Sequence, residues 1–133
     1  MIPRYRAWDN VKKEMFKDTF AITESGQVVV VEQESIASSP DYVFVDHLVI
    51  MQSTGIKDKN GKEIFEEDIL DYNGRKALVR WHGSYASFIY RFVDELQNRN
   101  VEWKPLYLAY MKCEIIGNIY ENPELLEDNH GTI

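Results

Sequence analysis

The sequence has a single cysteine, Cys113, and no long hydrophobic run among its 133 residues. One cysteine cannot form an intrachain disulfide, which is typical of proteins in a reducing compartment. No segment approaches the roughly 20 consecutive apolar residues of a membrane-spanning helix. The start, MIPRYRAWDN, also lacks the apolar segment of a secretory signal. We therefore expect an intracellular protein without a membrane association.

Basic residues are fewer than acidic ones, with 15 Lys and Arg against 22 Asp and Glu, for a net charge of −7. This balance repels a phosphate backbone and disfavours nonspecific nucleic-acid binding, although a local basic strip remains an alternative. A hydrophobic content of 44% and an aromatic content of 13% exclude wholesale disorder. The length predicts one domain over residues 1–133.

Catalytic and metal-binding patterns are also lacking. The three histidines, His47, His82 and His130, are scattered, and none has a second His or Cys at ligand spacing. Cys113 lies between a lysine and a glutamate, which gives no net positive field, so a buried inert thiol is expected. A calcium loop aligned on Gly61 would need a side-chain oxygen at its first position, where Ile56 stands. The sequence therefore predicts no catalytic residue, no cofactor and no metal.

The N-terminal strands follow short turn signals. Residues 4–22 predict a hairpin, or a hairpin plus a short third strand that ends at Ala21-Ile22. The β-branched run Val28–Val31 predicts another strand. Residues 32–41 end in Ser-Ser-Pro-Asp, which is typical of a surface loop. Tyr42–Met51 alternates apolar residues on both faces and predicts one continuous strand.

The stretch Gln52–Leu70 combines turn residues with short apolar pairs and predicts a folding corner. Asn73-Gly74 predicts a tight hairpin, and Gly83-Ser84 predicts a second two-residue reversal. The first register pairs Tyr72 with Arg75, Asp71 with Lys76, Leu70 with Ala77 and Ile69 with Leu78. The second pairs Trp81 with Ala86, Val79 with Phe88 and Ala77 with Tyr90. These aromatic residues are expected to form a core, with Arg80 and Arg91 on the opposite face.

The C-terminal third is less regular. Residues 93–104 predict a long connection, and residues 105–111 fit neither a strand period nor a helix period. Cys113–Tyr120 predicts a strand with a bulge or bend at Gly117. Asn122 and Pro123 predict a capped helical turn, followed by a polar tail over residues 128–133. The whole chain therefore predicts a mainly β domain with a terminal helical turn.

Three blocks of the sequence span the chain in order: PRYRAWD, QSTGIKDKNGKEIFEEDI and EIIGNIYENPELLE. Together they resemble the YopX family of phage- and prophage-encoded proteins. The residues that match the family motifs include Thr54, Gly55, Lys57, Asp58, Asn60, Gly61, Asp68, Gly117, Asn118, Tyr120, Asn122 and Pro123. The resemblance implies a β-rich fold with a small SH3-like barrel element. It implies no activity, and these residues are expected to be structural.

Two positions depart from the family motif. Ser53 stands where an aromatic residue is usual, and Glu67 stands where glycine is usual. If Glu67 takes a positive φ, it carries local strain. The expected organisation is N-terminal strands over residues 1–50, a barrel-like core over 51–122 and a cap and tail over 123–133.

Three functional hypotheses follow, all for a protein in the cytoplasm of a bacterial host. The first is a non-enzymatic accessory protein of a phage or prophage that acts through protein–protein contacts as a homo-oligomer, since short strands leave edges that need cover. The second is a nucleic-acid-associated small-barrel module. The third is an enzyme that uses the acidic corner Glu66, Glu67 and Asp68 in a cleft.

Overall fold

The computed structural model describes residues 4–17, 20–32, 35 and 37–127. The fold is mainly β, with 51% of residues in strands, 11% in helical turns and a curled, half-barrel sheet, which confirms the predicted fold class. The chain forms two compact units. One contains Tyr5–Met51, and the other contains Arg4 and the described residues from Gln52 onward. The prediction that residues 1–133 form a single domain stays a prediction.

The N-terminal unit contains two groups of short strands. β1 (Tyr5–Asp9) and β2 (Glu14–Phe16) form an antiparallel hairpin. β3 (Phe20–Ile22), β4 (Val28–Glu32) and β5 (Asp41–Val45) form an antiparallel sheet in the order β3-β4-β5. The predicted hairpin with a third strand, and the strand at the valine run, are therefore confirmed.

The predicted continuous strand over Tyr42–Met51 is wrong. β5 ends at Val45, and β6 (Leu48–Lys57) begins after a bend at Asp46 and His47. The two polar residues interrupt the apolar alternation, and the chain uses them to change direction. As a result, β5 and β6 are separate strands, and β5 pairs with β4 instead of extending into the corner.

The C-terminal unit is built on a five-stranded antiparallel sheet in the order β11-β10-β9-β8-β12. Its strands are β8 (Asp68–Tyr72), β9 (Arg75–His82), β10 (Ser87–Phe92), β11 (Lys104–Pro105) and β12 (Cys113–Asn118). β7 (Glu63–Phe65) pairs with the C-terminal half of β6. Short 3-10 turns cover Val93–Glu95, Leu106–Leu108, Tyr110–Lys112 and Pro123–Leu126. The register of β12 shifts between Ile115 and Gly117, which confirms the predicted bulge.

The two predicted hairpin registers have different outcomes. β8 and β9 pair as predicted, from Tyr72 with Arg75 to Ile69 with Leu78, so the Asn73-Gly74 turn is confirmed. The register predicted for β9 and β10 is wrong by two residues. The structure pairs Trp81 with Phe88, Val79 with Tyr90 and Ala77 with Phe92. The loop covers residues 83–86 instead of two residues, and Ala86 takes a φ of 48° within it.

A shift of two residues keeps every side chain on its predicted face. The core of the C-terminal unit accordingly combines meander residues with residues from β7, β12 and the 3-10 turn region: Ile64, Leu70, Ala77, Val79, Tyr90, Phe92, Leu106, Ala109 and Cys113. Trp81 is the exception. It was predicted to be core but is 43% exposed, because it lies next to the turn that closes the hairpin, where its ring packs edge-on against Phe88.

The helical segments are all short. In the described part of the chain, none has the length and apolarity that a membrane-spanning helix requires.

Candidate functional site

The two family motifs lie side by side in the C-terminal unit. β12 pairs with β8 so that Gly117 lies opposite Ile69 and Asn118 lies opposite Asp68. Residues far apart in the sequence therefore form one continuous corner. We call this group, residues 52–69 together with 113–125, the motif corner.

The carboxylate of Asp58 is the best-connected side chain of the motif corner. Its Oδ1 accepts hydrogen bonds from the backbone N–H groups of Asn60 and Lys62, both at 2.9 Å. Its Oδ2 accepts one from the N–H of Ile115, also at 2.9 Å. Burial raises the pKa of Asp58, but these three donors outweigh it, so the pKa lies below its usual value. Asp58 therefore joins its own turn to β12.

Thr54 and two glycines shape the strand that enters this turn. The Thr54 hydroxyl donates to the carbonyl of Ile64 at 2.7 Å and accepts from the N–H of Ile56 at 3.1 Å. Gly55 and Gly61 take φ values of 74° and 81°, in the left-handed region that favours glycine. These contacts satisfy buried polar groups inside the fold.

Each side chain of the predicted acidic corner, Glu66, Glu67 and Asp68, contacts another group of the fold. Glu66 accepts a hydrogen bond from a backbone N–H of β6 at 2.8 Å, and Asp68 accepts one from the N–H of Phe65 at 2.8 Å. Glu67 lies 3.7 Å from the guanidinium of Arg80. Each carboxylate thus has a different partner within the fold, and none of the three extends freely into solvent.

Glu67 takes a φ of 68°, so it does adopt the positive φ under which local strain is expected. Its N–H donates to the carbonyl of Val79 at 2.8 Å, and its carbonyl accepts from the N–H of Ile119 at 3.1 Å. The left-handed conformation aims these two groups at neighbouring segments. For a non-glycine residue, this left-handed conformation costs about 1–2 kcal/mol of conformational energy.

The second motif forms its own compact turn. The buried Asn118 side chain accepts hydrogen bonds from the N–H groups of Tyr120 at 3.0 Å and Glu121 at 2.8 Å. Asn122 was predicted to cap the turn that Pro123 begins, but its side chain makes no cap hydrogen bond. Instead, its Oδ1 accepts from the N–H of Asn118 at 3.3 Å. Pro123 does occupy the start of the turn, which is 3-10 rather than α-helical.

Gly117 allows this turn to pack against β12. A Cβ at this position would collide with the Asn122 side chain and would lie 2.8 Å from Cδ1 of Leu125.

Two further motif residues have different surroundings. Lys57 is exposed at the end of β6, opposite Glu63. Burial raises the pKa of Tyr120, and the nearby charge of Glu67 adds to this effect.

Cys113 is buried, as expected. Its thiol donates to the carbonyl of Ala109 at 3.2 Å. Burial raises its pKa to about 11, so the thiolate is scarce at neutral pH. Within the described residues, no group of three or more His, Cys, Asp or Glu side chains is placed to hold a metal ion.

The histidines lie in different environments. Nε2 of His47 is 3.3 Å from the Asp9 carboxylate. His82 stacks on Tyr85 with ring centroids 4.3 Å apart. His130 lies outside the described residues, as does the predicted polar tail over residues 128–133.

Sequence reasoning missed a contact between two arginines and a tryptophan. Arg80 and Arg91 lie on the face opposite the aromatic core, as predicted, and each guanidinium is 5.7 Å from the ring centroid of Trp103. Arg91 is only 8% exposed, and its Nε and Nη2 have no hydrogen-bond partner among the described residues. The signal was weak because Trp103 lies in a polar connection with no clear period.

The other missed feature is β5. Tyr42 and Phe44 on this strand are 67% and 66% exposed. Phe44 also borders a cleft of about 630 Å³ in the N-terminal unit. The cleft is lined by Gly26, Gln27, Val28, Phe44, Val45, Asp46, Leu48 and Ile50.

Comparisons with known proteins place the chain in a family. The profile of the family described as "YopX protein" matches residues 4–127. The chain is similar to protein EF1440 from Enterococcus faecalis, whose crystal structure superposes with a TM-score of 0.55 at 29% identity, over 96% of this chain and 99% of that one. A comparison with functionally curated proteins found no match. Since the family profile covers nearly the whole chain, the resemblance in the motifs is confirmed: this chain belongs to the YopX protein family.

Proposed function

We propose that this chain is an accessory protein encoded by a phage or prophage, which acts in the cytoplasm of a bacterial host through protein–protein contacts as a homo-oligomer. The observation that carries the proposal is the number of large apolar side chains left exposed in both units. Those at least 60% exposed are Val11, Tyr42, Phe44, Tyr85, Tyr107, Leu108 and Met111. Exposed apolar surface of this kind is typical of interaction sites when it is contiguous.

The geometry of the motif corner supports this proposal over an enzymatic one. Asp58, Asn118 and Asp68 direct their side-chain oxygens at backbone N–H groups of the fold. Oxygens held in this way accept hydrogen bonds from backbone donors of the fold, and these hydrogen bonds stabilise the folded state. We therefore assign the motif residues an architectural role.

Native mass spectrometry and light scattering on the purified chain test the proposal. We expect a homo-oligomer whose population grows with protein concentration. Because apolar contacts drive the association, it should persist when salt is raised, unlike an association between charged surfaces. A strict monomer at high micromolar concentration would contradict the homo-oligomer.

A second candidate function has one specific observation in its favour. The cluster of Arg80, Arg91 and Trp103 combines cations with an aromatic ring, the groups that bind single-stranded nucleic acid in small barrels. This candidate predicts binding to single-stranded DNA or RNA that weakens steeply with salt, and loss of binding in Arg80→Ala. The absence of binding at about 50 mM salt would remove it.

A further inference from the structure

The sheet β3-β4-β5 exposes one edge through β5. Within the described residues, β5 has a strand neighbour on one side only, namely β4. Its side chains are exposed on both faces, with Tyr42 at 67%, Phe44 at 66% and Val43 at 38%. An unpaired edge of this kind presents a row of backbone N–H and C=O groups that can pair with another strand.

β5 lacks most of the devices that usually protect an edge strand, and its one charged residue, Asp41, lies at its first position. The strand Asp41–Val45 contains no lysine and no internal proline. Its register with β4 runs without a bulge through five consecutive pairs, from Glu32 with Asp41 to Val28 with Val45. Natural proteins blunt free edges with lysine, proline, bulges or very short strands. A regular five-residue edge with apolar or aromatic residues at its last four positions is therefore suited to pairing.

We propose that β5 pairs with β5 of a second copy of this chain, in an antiparallel register centred on Val43. This inference rests on the proposed self-association and names its surface. A two-fold axis perpendicular to the sheet makes two equal edges antiparallel and keeps each side chain on its own face. Val43 then lies opposite Val43 of the second copy, and Tyr42 lies opposite the second copy's Phe44.

The sequence of β5 is complementary to itself in this register. Each aromatic ring meets an aromatic ring on the same face, a cross-strand pairing that stabilises antiparallel strands. The one charged residue, Asp41, lies opposite Val45 of the second copy, so no two like charges face each other. This self-complementarity favours a second copy over an unrelated strand.

The exposed surface indicates an interface of modest size. Aromatic side chains bury about 150–250 Å² each. Tyr42 and Phe44 of the two copies give four rings, each about two-thirds exposed, and together these rings offer roughly 400–670 Å² of surface that a dimer can bury. Specific interfaces generally exceed about 1,000 Å² in total, so Val43 and the paired backbones must supply the rest. We therefore expect a reversible dimer whose population depends on concentration.

Charge substitutions at the two-fold axis test both the surface and the register. In Val43→Lys, two lysines face each other across the axis, and in Val43→Glu, two glutamates do. Either variant alone should raise the dissociation constant about tenfold or more, measured by sedimentation velocity. An equal mixture of the two variants should regain the dimer, because opposite charges then meet at the axis.

Two further variants supply a control and a replacement for a variant that does not fold. Ile22→Lys places the same charge on a β-branched side chain that is 37% exposed on β3, at the other edge of the same sheet, and it should leave the dimer unchanged. If Val43→Lys does not fold, as judged by circular dichroism, Phe44→Ser replaces it, since that side chain packs little within the chain. Phe44→Ser should also weaken the dimer by about tenfold.

The outcomes separate this inference from the proposed function. A native oligomer that Val43→Lys, Val43→Glu and Phe44→Ser leave intact would overturn the β5 interface and leave self-association standing. Loss of the oligomer in Ile22→Lys, with the three β5 variants still oligomeric, would do the same. A native chain that is monomeric at every concentration would overturn both.

Discussion

Replacing Asp58 with asparagine tests whether the motif corner holds the C-terminal unit together. The carboxylate accepts three backbone hydrogen bonds, two at Oδ1 and one at Oδ2. Asparagine keeps a single carbonyl oxygen, so at least one N–H loses its acceptor and faces an amide N–H instead. Hydrogen bonds to charged groups contribute about 1.5–3 kcal/mol each, and an unsatisfied buried donor costs about 1–3 kcal/mol. We expect the free energy of unfolding to fall by about 2–4 kcal/mol.

The measurement is urea unfolding of both proteins, followed by tryptophan fluorescence. A fall of this size is a large fraction of the 5–15 kcal/mol typical of a domain, so the midpoint should move clearly while the slope stays constant. Asp46→Asn is a matched control, because Asp46 is exposed and lies in the other unit. It should change the free energy of unfolding by less than about 0.5 kcal/mol.

The same comparison has a defined pH dependence. The pKa of Asp58 is lower in the folded protein than its usual value, so its contribution to stability is complete above about pH 4. That contribution disappears as pH falls through the lower, folded-state pKa. The difference between the native chain and Asp58→Asn should therefore shrink on acidification. A difference under about 0.5 kcal/mol at neutral pH, or one that does not change with pH, would refute the reasoning.

The remaining predictions concern packing and turns, and each is measured by urea unfolding. Gly117→Ala should cost about 1–3 kcal/mol, because its Cβ collides with Asn122 and Leu125; an unchanged midpoint would show that this turn can move aside. Gly74→Val should cost about 1–2 kcal/mol through its φ of 91°, since no atom lies within 4 Å; a neutral result would contradict the turn. Leu70→Ala should cost about 2–5 kcal/mol, whereas Trp81→Ala should cost only about 1–2 kcal/mol because its ring is partly exposed. Equal costs would place Trp81 in the core.

Local turn chemistry explains why one hairpin could be predicted and the other could not. Asn73-Gly74 has residues that tolerate positive φ at both central positions, and the register follows from them. In the second hairpin, Ala86 takes a positive φ, which alanine rarely adopts and its sequence does not signal. The faces were nevertheless predicted correctly, because a shift of two residues preserves the alternation of a strand.

The contacts of the motif corner illustrate what one sequence leaves open. The turn at Asp58 follows from its Asn60-Gly61 pair, but its hydrogen bond to Ile115 depends on how β12 returns to β8. The exposure of Tyr42 and Phe44 could not be predicted from the sequence either. Apolar alternation predicts a strand, yet whether that strand has a neighbour on each side is decided by the sheet topology.

The most direct test of the account is hydrogen–deuterium exchange of β5 at high and low protein concentration. Self-association through this edge predicts that amides of Tyr42–Val45 exchange more slowly at high concentration and recover on dilution. Amides of the neighbouring β4 and of the motif corner should exchange equally at both concentrations. Equal exchange across β5 in a protein that light scattering shows to be oligomeric would contradict the account.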